Sequence, residues 1–201
     1  MLDVFYPIVP DAAWAKRIVP LGVKTLQLRV KDATPDRIRN EIAETIAICE
    51  VHGCQLIIND YWRDAIAFGA SYIHLGQEDL VEADLALIHE AHLKLGISTH
   101  THEELATALD AGPDYVALGP IYETRLKVMK YPPQGLARIG EWKRRISCPL
   151  VAIGGITVER APAVLEAGAD SIAVITDFIT HPTPERRITE WVRLAENVRR
   201  T

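Results

Sequence analysis

Gly112-Pro-Asp-Tyr-Val-Ala-Leu-Gly119 and Gly168-Ala-Asp-Ser-Ile-Ala-Val-Ile175 are one phrase written twice, a glycine followed by a short apolar run. Two earlier copies read Gly22-Val-Lys-Thr-Leu-Gln-Leu-Arg29 and Gly69-Ala-Ser-Tyr-Ile-His-Leu-Gly76. A glycine just past a helix supplies the left-handed cap that other residues adopt only with strain, so each copy reads as helix end, turn and strand. Four more strand candidates, Val4–Val9, Cys54–Asn59, Lys94–Thr99 and Pro149–Gly154, lie between the copies. Alanine-rich amphipathic segments separate them: Asp36–Val51, Trp62–Phe68, Leu80–Leu93, His102–Asp110, Leu136–Ile146 and Val158–Ala167. Eight strands alternating with helices imply parallel pairing, and eight such units close into a (β/α)8 (TIM) barrel of the α/β class. An open doubly wound sheet is the alternative. No linker or composition shift divides the chain, so residues 1–201 are expected to form a single TIM-barrel domain, with a short C-terminal helix from about residue 184.

Composition agrees with that architecture. The 201 residues are 48% hydrophobic, 24% charged and 6% aromatic, and 22 Lys plus Arg against 27 Asp plus Glu give a net charge of −5. An acidic balance without a basic tract argues against nucleic acid as a partner. Every apolar run breaks well before the length of a membrane span, and Met1-Leu2-Asp3-Val4 lacks the basic start of a secretory signal. Cys49, Cys54 and Cys148 form no CxxC pair and read as thiols in a reducing cytoplasm. A cytoplasmic protein acting on small molecules is expected, and a homo-oligomer is compatible with the sequence.

In such a barrel the chemistry sits at the carboxyl ends of the strands and in the loops that follow. Asp60 and Asp79 follow neighbouring strands; they suit an oxygen-ligated Mg²⁺ or, alternatively, the capping of the helices beginning near Tyr61 and Leu80. Gln27, Arg29 and Lys31 alternate onto one face, where Arg29 meets either an anion or a carboxylate from an adjacent strand. Gly154-Gly155, before a helical pattern starting near Thr157, and Ile175-Thr176 after the last strand suit a phosphate held by backbone amides. The longest loop, Gly119–Gln134, carries Thr124, Arg125, Lys127 and Lys130 and reads as a lid or a solvated loop. His100 and His102 are spaced two apart, which is unsuited to shared zinc ligation, and His74 reads as a core histidine. No G-x-S-x-G elbow is present to support a serine hydrolase. Trp14, Trp62, Trp142 and Trp191 read as helix packing residues.

Asn59-Asp60, His74-Leu-Gly-Gln-Glu-Asp79-Leu, Gly119-Pro-Ile-Tyr and Ala152-Ile-Gly-Gly-Ile156 together resemble the thiamine phosphate synthase family, from about Phe5 to Phe178. The resemblance implies a (β/α)8 barrel that joins a hydroxymethylpyrimidine pyrophosphate to a thiazole phosphate with Mg²⁺, releasing pyrophosphate. It implies Asp60 and Asp79 as Mg²⁺ ligands, and Gln27, Arg29, Lys31, Asn59, Ser98 and Lys127 around the pyrimidine pyrophosphate. Lys127, Arg29 and Ser98 are the residues it assigns to catalysis. Thr124 corresponds to a contact with the thiazole, and Gly155, Ile175 and Thr176 to its phosphate site. The chain departs from the family pattern at Leu126, where a threonine is usual, at Val30 for glutamate and at Thr176 for serine, and it starts almost directly in the first strand. Two rival readings are a thiazole tautomerase of the same superfamily, sharing a histidine at His100, and a phosphate-ligand sensor without turnover.

Overall fold

A computed structural model describes residues 2–124 and 131–200. Among them, eight parallel strands pair in sequence order, and β1 closes on β8. They are β1 (Phe5–Val9), β2 (Thr25–Leu28), β3 (Gln55–Asn59), β4 (Tyr72–Leu75), β5 (Lys94–Thr99), β6 (Tyr115–Leu118), β7 (Leu150–Ile153) and β8 (Ser171–Val174). The repeated phrase accounts for half of these strands. Its glycines Gly22, Gly69, Gly112 and Gly168 have φ of +103°, +67°, +66° and +111°, and each strand starts three residues later. The aspartates of the two late copies perform the same task. Asp114 Oδ2 accepts from the Leu95 amide at 2.8 Å, and Asp170 Oδ2 accepts from the Leu150 amide at 2.7 Å. Each ties its strand's entry to the strand before it.

Strand alternation sorts side chains into two layers. Phe5, Leu26, Ile58, Ile73, Leu95, Val116, Ala152 and Ile172 point outward into the apolar layer under the helices. Tyr6, Ile8, Ile57, Tyr72, Tyr115, Ala117, Val151 and Ala173 fill the barrel interior. Gln27, Asn59, His74 and Ser98 share that inward parity, so the sequence delivers polar side chains to the interior near its carboxyl rim.

The helices are α1 (Ala12–Ile18), α2 (Pro35–His52), α3 (Trp62–Ala67), α4 (Gln77–Glu82), α5 (Leu85–Glu90), α6 (His102–Asp110), α7 (Gly135–Lys143), α8 (Ala161–Glu166), α9 (Thr176–Ile179) and α10 (Pro184–Arg200). Three expectations need correction. Leu80–Leu93 is two helices, because Ala83 is extended (ψ 140°) and the Asp84 carboxylate caps a new start at the Leu87 amide, 3.1 Å away. The helix expected near Thr157 begins only at Ala161, after a turn in which the Arg160 and Ala161 amides bond back to Thr157. The terminal helix has 17 residues and is not short. It lays Ile188, Trp191, Val192 and Ala195 on the core, with Trp191 stacked on Phe5 at 5.2 Å between centroids. The four tryptophans lie on helices α1, α3, α7 and α10, as packing residues should. All three cysteines are free thiols. No described helix is long and apolar enough to cross a membrane.

Candidate active site

The rim brings Asp60 and Asp79 together. Asp60 directly follows β3 at φ +68°, a left-handed conformation, and its amide bonds to the His74 carbonyl at 2.9 Å. Its carboxylate pairs with the Lys31 ammonium. It does not cap α3, whose first turn receives no side-chain cap. Asp79 sits in the first turn of α4, and its Oδ2 accepts from the Gly76 amide at 3.2 Å. Burial first, then the adjacent Asp60 carboxylate, raises the proton affinity of Asp79. The two crowded carboxylates are hard oxygen donors, with one lysine beside them. Among the described residues no third His, Cys, Asp or Glu completes a metal cluster with them. That composition fits Mg²⁺, which keeps several waters and takes substrate phosphate oxygens, and it does not fit a zinc site closed by the protein alone.

Arg29 stands just past β2, held by its amide to the Val9 carbonyl at 2.8 Å. The internal salt bridge that sequence left open for it is absent: among the described residues Arg29 makes no ion pair, although it is half-buried. Its charge is nonetheless felt, since burial and then Arg29 push the pKa of His74 down to about 4. His74 is therefore neutral at physiological pH. Gln27 and Asn59 are buried at 2% and 5% exposure.

Inside the barrel a polar chain links these groups. Gln27 Nε2 donates to Tyr6 Oη at 2.6 Å, and Tyr6 Oη meets Tyr115 Oη at 3.0 Å. Tyr115 Oη meets His74 Nδ1 at 2.9 Å, and His74 Nε2 meets Ser98 Oγ at 2.8 Å. Gln77 Nε2 then donates to the Ser98 carbonyl at 2.7 Å. Burial raises the proton affinity of both tyrosines, so both keep their hydroxyl protons. Sequence reasoning singled out Gln27 and Ser98, read His74 as a core histidine, and missed Tyr6 and Tyr115. The available signal was Gly96, on the inward face of β5, where an added Cβ would lie 1.9 Å from Tyr115 Cζ.

On the far side of the rim, Gly154 and Gly155 adopt φ of +102° and +63° and pack against the segment after β6. A Cβ on Gly155 would lie 2.4 Å from the Glu123 carbonyl oxygen, so no other residue fits there. Ile175 and Thr176 open α9. A second cluster missed by sequence reasoning joins these two loops. Arg187 of α10 bonds Glu159, in the β7 loop, at 2.7 and 2.8 Å, and Asp177, after β8, at 2.7 and 2.9 Å. His100 pairs with Glu104 at 2.8 Å and stacks on Tyr131, whose hydroxyl donates to the same carboxylate at 2.7 Å. His102 turns instead to Glu141, so the two histidines share no ligand. Thr124 is the last described residue before 125–130; Lys127 and Leu126 lie outside the described residues.

These features define a (β/α)8-barrel enzyme whose polar groups concentrate at the carboxyl rim. The model of the family described as thiamine monophosphate synthase matches residues 6–178. A thiamine-phosphate synthase of Rhizobium etli is 59% identical over 192 residues, covering 95% of this chain and 94% of that protein. One of Cronobacter sakazakii is 47% identical, covering 88% and 85%. Among solved structures, a thiamine phosphate pyrophosphorylase from Pyrococcus furiosus superposes with a TM-score of 0.86 at 24% identity, over 98% of this chain and 96% of that one, which shows the shared fold. The chain belongs to the thiamine monophosphate synthase family and is a transferase.

Proposed function

We propose that this chain condenses 4-amino-5-hydroxymethyl-2-methylpyrimidine pyrophosphate with a thiazole phosphate, giving thiamine phosphate and pyrophosphate. The observation that carries the reading is Arg29, a half-buried guanidinium at the rim with no carboxylate partner among the described residues. A cation placed so, partly out of water and without a protein counter-charge among the described residues, is suited to meet a substrate anion. Its planar fork matches phosphate oxygens, and Lys31, close by on Asp60, adds a compact charge.

The bond from the pyrimidine methylene to the pyrophosphate oxygen breaks with its electron pair leaving on pyrophosphate. The electron-rich aminopyrimidine carries the resulting positive charge, and the thiazole nitrogen's lone pair then forms the new C–N bond. No strong base is required, so the protein's task is to position two substrates and to receive a developing anion. Asp60 and Asp79 would hold Mg²⁺, which when bound neutralises charge on the leaving pyrophosphate. Arg29 and Lys31 bind the same oxygens, and Lys127 is assigned to them from the family's loop. Gln27 and Asn59, buried at the strand ends, orient the pyrimidine, and Ser98 donates at its edge. Gly155, Ile175 and Thr176 take the thiazole phosphate, with Thr124 against its ring. The reaction belongs in the cytoplasm, where both phosphorylated substrates are retained.

The test is to incubate the purified protein with both substrates, with Mg²⁺ or with a chelator, and to follow both products. Thiamine phosphate and pyrophosphate in equal amounts, lost on chelation, are expected. Isomerisation of the thiazole phosphate without coupling would overturn the assignment in favour of a tautomerase.

A further inference from the structure

The polar chain from Gln27 to Ser98 takes its direction from one end, the orientation of the Gln27 amide. The Gln27 atom facing Tyr6 is Nε2, which can only donate. Tyr6 Oη accepts there and must give its single proton to its other neighbour, Tyr115 Oη. Tyr115 in turn gives its proton to His74 Nδ1. An imidazole that accepts at Nδ1 carries its proton on Nε2, which therefore donates to Ser98 Oγ. With its oxygen already accepting from inside the barrel, Ser98 has its own hydroxyl proton left to donate outward. The opposite direction would need the Gln27 amide turned over, with Oε1 in place of Nε2 against Tyr6.

Packing alone does not explain a tyrosine at position 115. Its ring is 1% exposed and fills the space left by Gly96, and phenylalanine would fill that space without burying a hydroxyl. The hydroxyl is useful there only as the link between Tyr6 and His74. Ser98, at the far end, is half-buried and is the one member of the chain with substantial access to the rim.

We infer that Tyr115 is a positioning residue: it holds His74 in the Nε2–H tautomer and thereby turns the Ser98 hydroxyl into an outward donor to the pyrophosphate-bearing substrate. Tyr6 supports it from behind. The tautomer rests on the hydrogen-bond geometry alone; the role of Ser98 toward substrate rests on the proposed condensation.

The two parts separate experimentally. Long-range proton–nitrogen correlation spectra of histidine-labelled protein, with the His74 ring assigned by its loss in His74→Gln, read the tautomer in the free enzyme without any substrate. Nδ1 unprotonated and Nε2 protonated is expected; the proton on Nδ1 overturns the inference whatever the reaction. Tyr115→Phe, which keeps the ring, should remove the single defined tautomer and lower kcat about tenfold or more, the size of one lost hydrogen bond to a charged group. In a Ser98→Ala background the same change should cost less than about twofold, because both variants remove one donor. Multiplicative losses in the double variant, or an unchanged His74 spectrum in Tyr115→Phe, would refute the role. If the condensation reading alone fails, the tautomer result stands.

Discussion

Arg187→Met tests how the two loops at the far side of the rim are held. Arg187 is only 8% exposed and makes five hydrogen bonds to three carboxylates. Those partners are unequal. The Glu159 and Glu190 side chains are 68% and 32% exposed, so each contributes at most about 1 kcal/mol. Asp177 is 8% exposed and, without Arg187, keeps among the described side chains only the Trp191 indole N–H at 2.8 Å. Breaking a buried pair from one side costs about 3–5 kcal/mol, because the other charge stays behind. Methionine preserves the aliphatic stem and suits a helix, so packing and propensity add little. The variant should lose about 3–4 kcal/mol in urea unfolding, or roughly 6–16 °C in Tm for a chain of this size. Adding Asp177→Asn should recover part of the loss by removing the stranded charge. KM for the thiazole phosphate should rise more than KM for the pyrimidine pyrophosphate, since Glu159 and Asp177 belong to the loops carrying Gly155 and Thr176. A loss below about 1 kcal/mol, or no recovery in the double variant, would show that Asp177 is solvated without Arg187 and that the clamp stabilises nothing.

The same cluster predicts a pH dependence. Hydrogen bonds from Arg187 hold the Glu159 pKa at about 2, below its unfolded value near 4.3. The stability this contributes is fully present above about pH 4.3 and disappears as pH falls through 2, so the gap between native protein and Arg187→Met should narrow over that window in acid titrations followed by circular dichroism. Gly96→Ala places a methyl carbon 1.9 Å from the Tyr115 ring, which is bonded at its hydroxyl on both sides. It should cost about 3 kcal/mol or more in denaturant unfolding, whereas an unperturbed variant would mean that the ring has room to move. Asp60→Asn should raise the Mg²⁺ concentration needed for half-maximal turnover at least about tenfold while leaving the fold intact, and turnover unchanged at limiting Mg²⁺ would remove Asp60 from the ligand set.

The barrel was legible because its repeat is a backbone requirement. Gly22, Gly69, Gly112 and Gly168 leave their helix ends in the left-handed region that favours glycine, which marks four of the eight strands; the other four were read from their apolar runs. Boundaries were less legible. Pro113 and Asp114 lie inside the repeated phrase but ahead of β6, and α1 hides in Ala12–Ile18, too short for a strong periodicity. The rule that chemistry follows strand ends singled out Asp60, Asp79, Gln27, Arg29 and Ser98, which the structure has at the carboxyl rim. Tyr6 and Tyr115 escaped because a tyrosine in an apolar strand reads as packing until its hydroxyl has a partner, and that partner lies 109 residues away. Arg187 escaped because Glu185-Arg186-Arg187 looks like a solvated helix start. Its spacing four residues before Trp191, on the buried face of α10, was the only local sign.

Equilibrium binding of inorganic pyrophosphate, in the presence of Mg²⁺, to the native protein and to Arg29→Met tests the central claim most directly. If the Arg29 guanidinium at the end of β2, without a carboxylate partner among the described residues, receives the leaving group, the variant should bind at least about tenfold more weakly, the loss of a charge-assisted bidentate contact. Equal affinity in the two proteins would contradict the account, because the cation that carries the functional reading would then be idle.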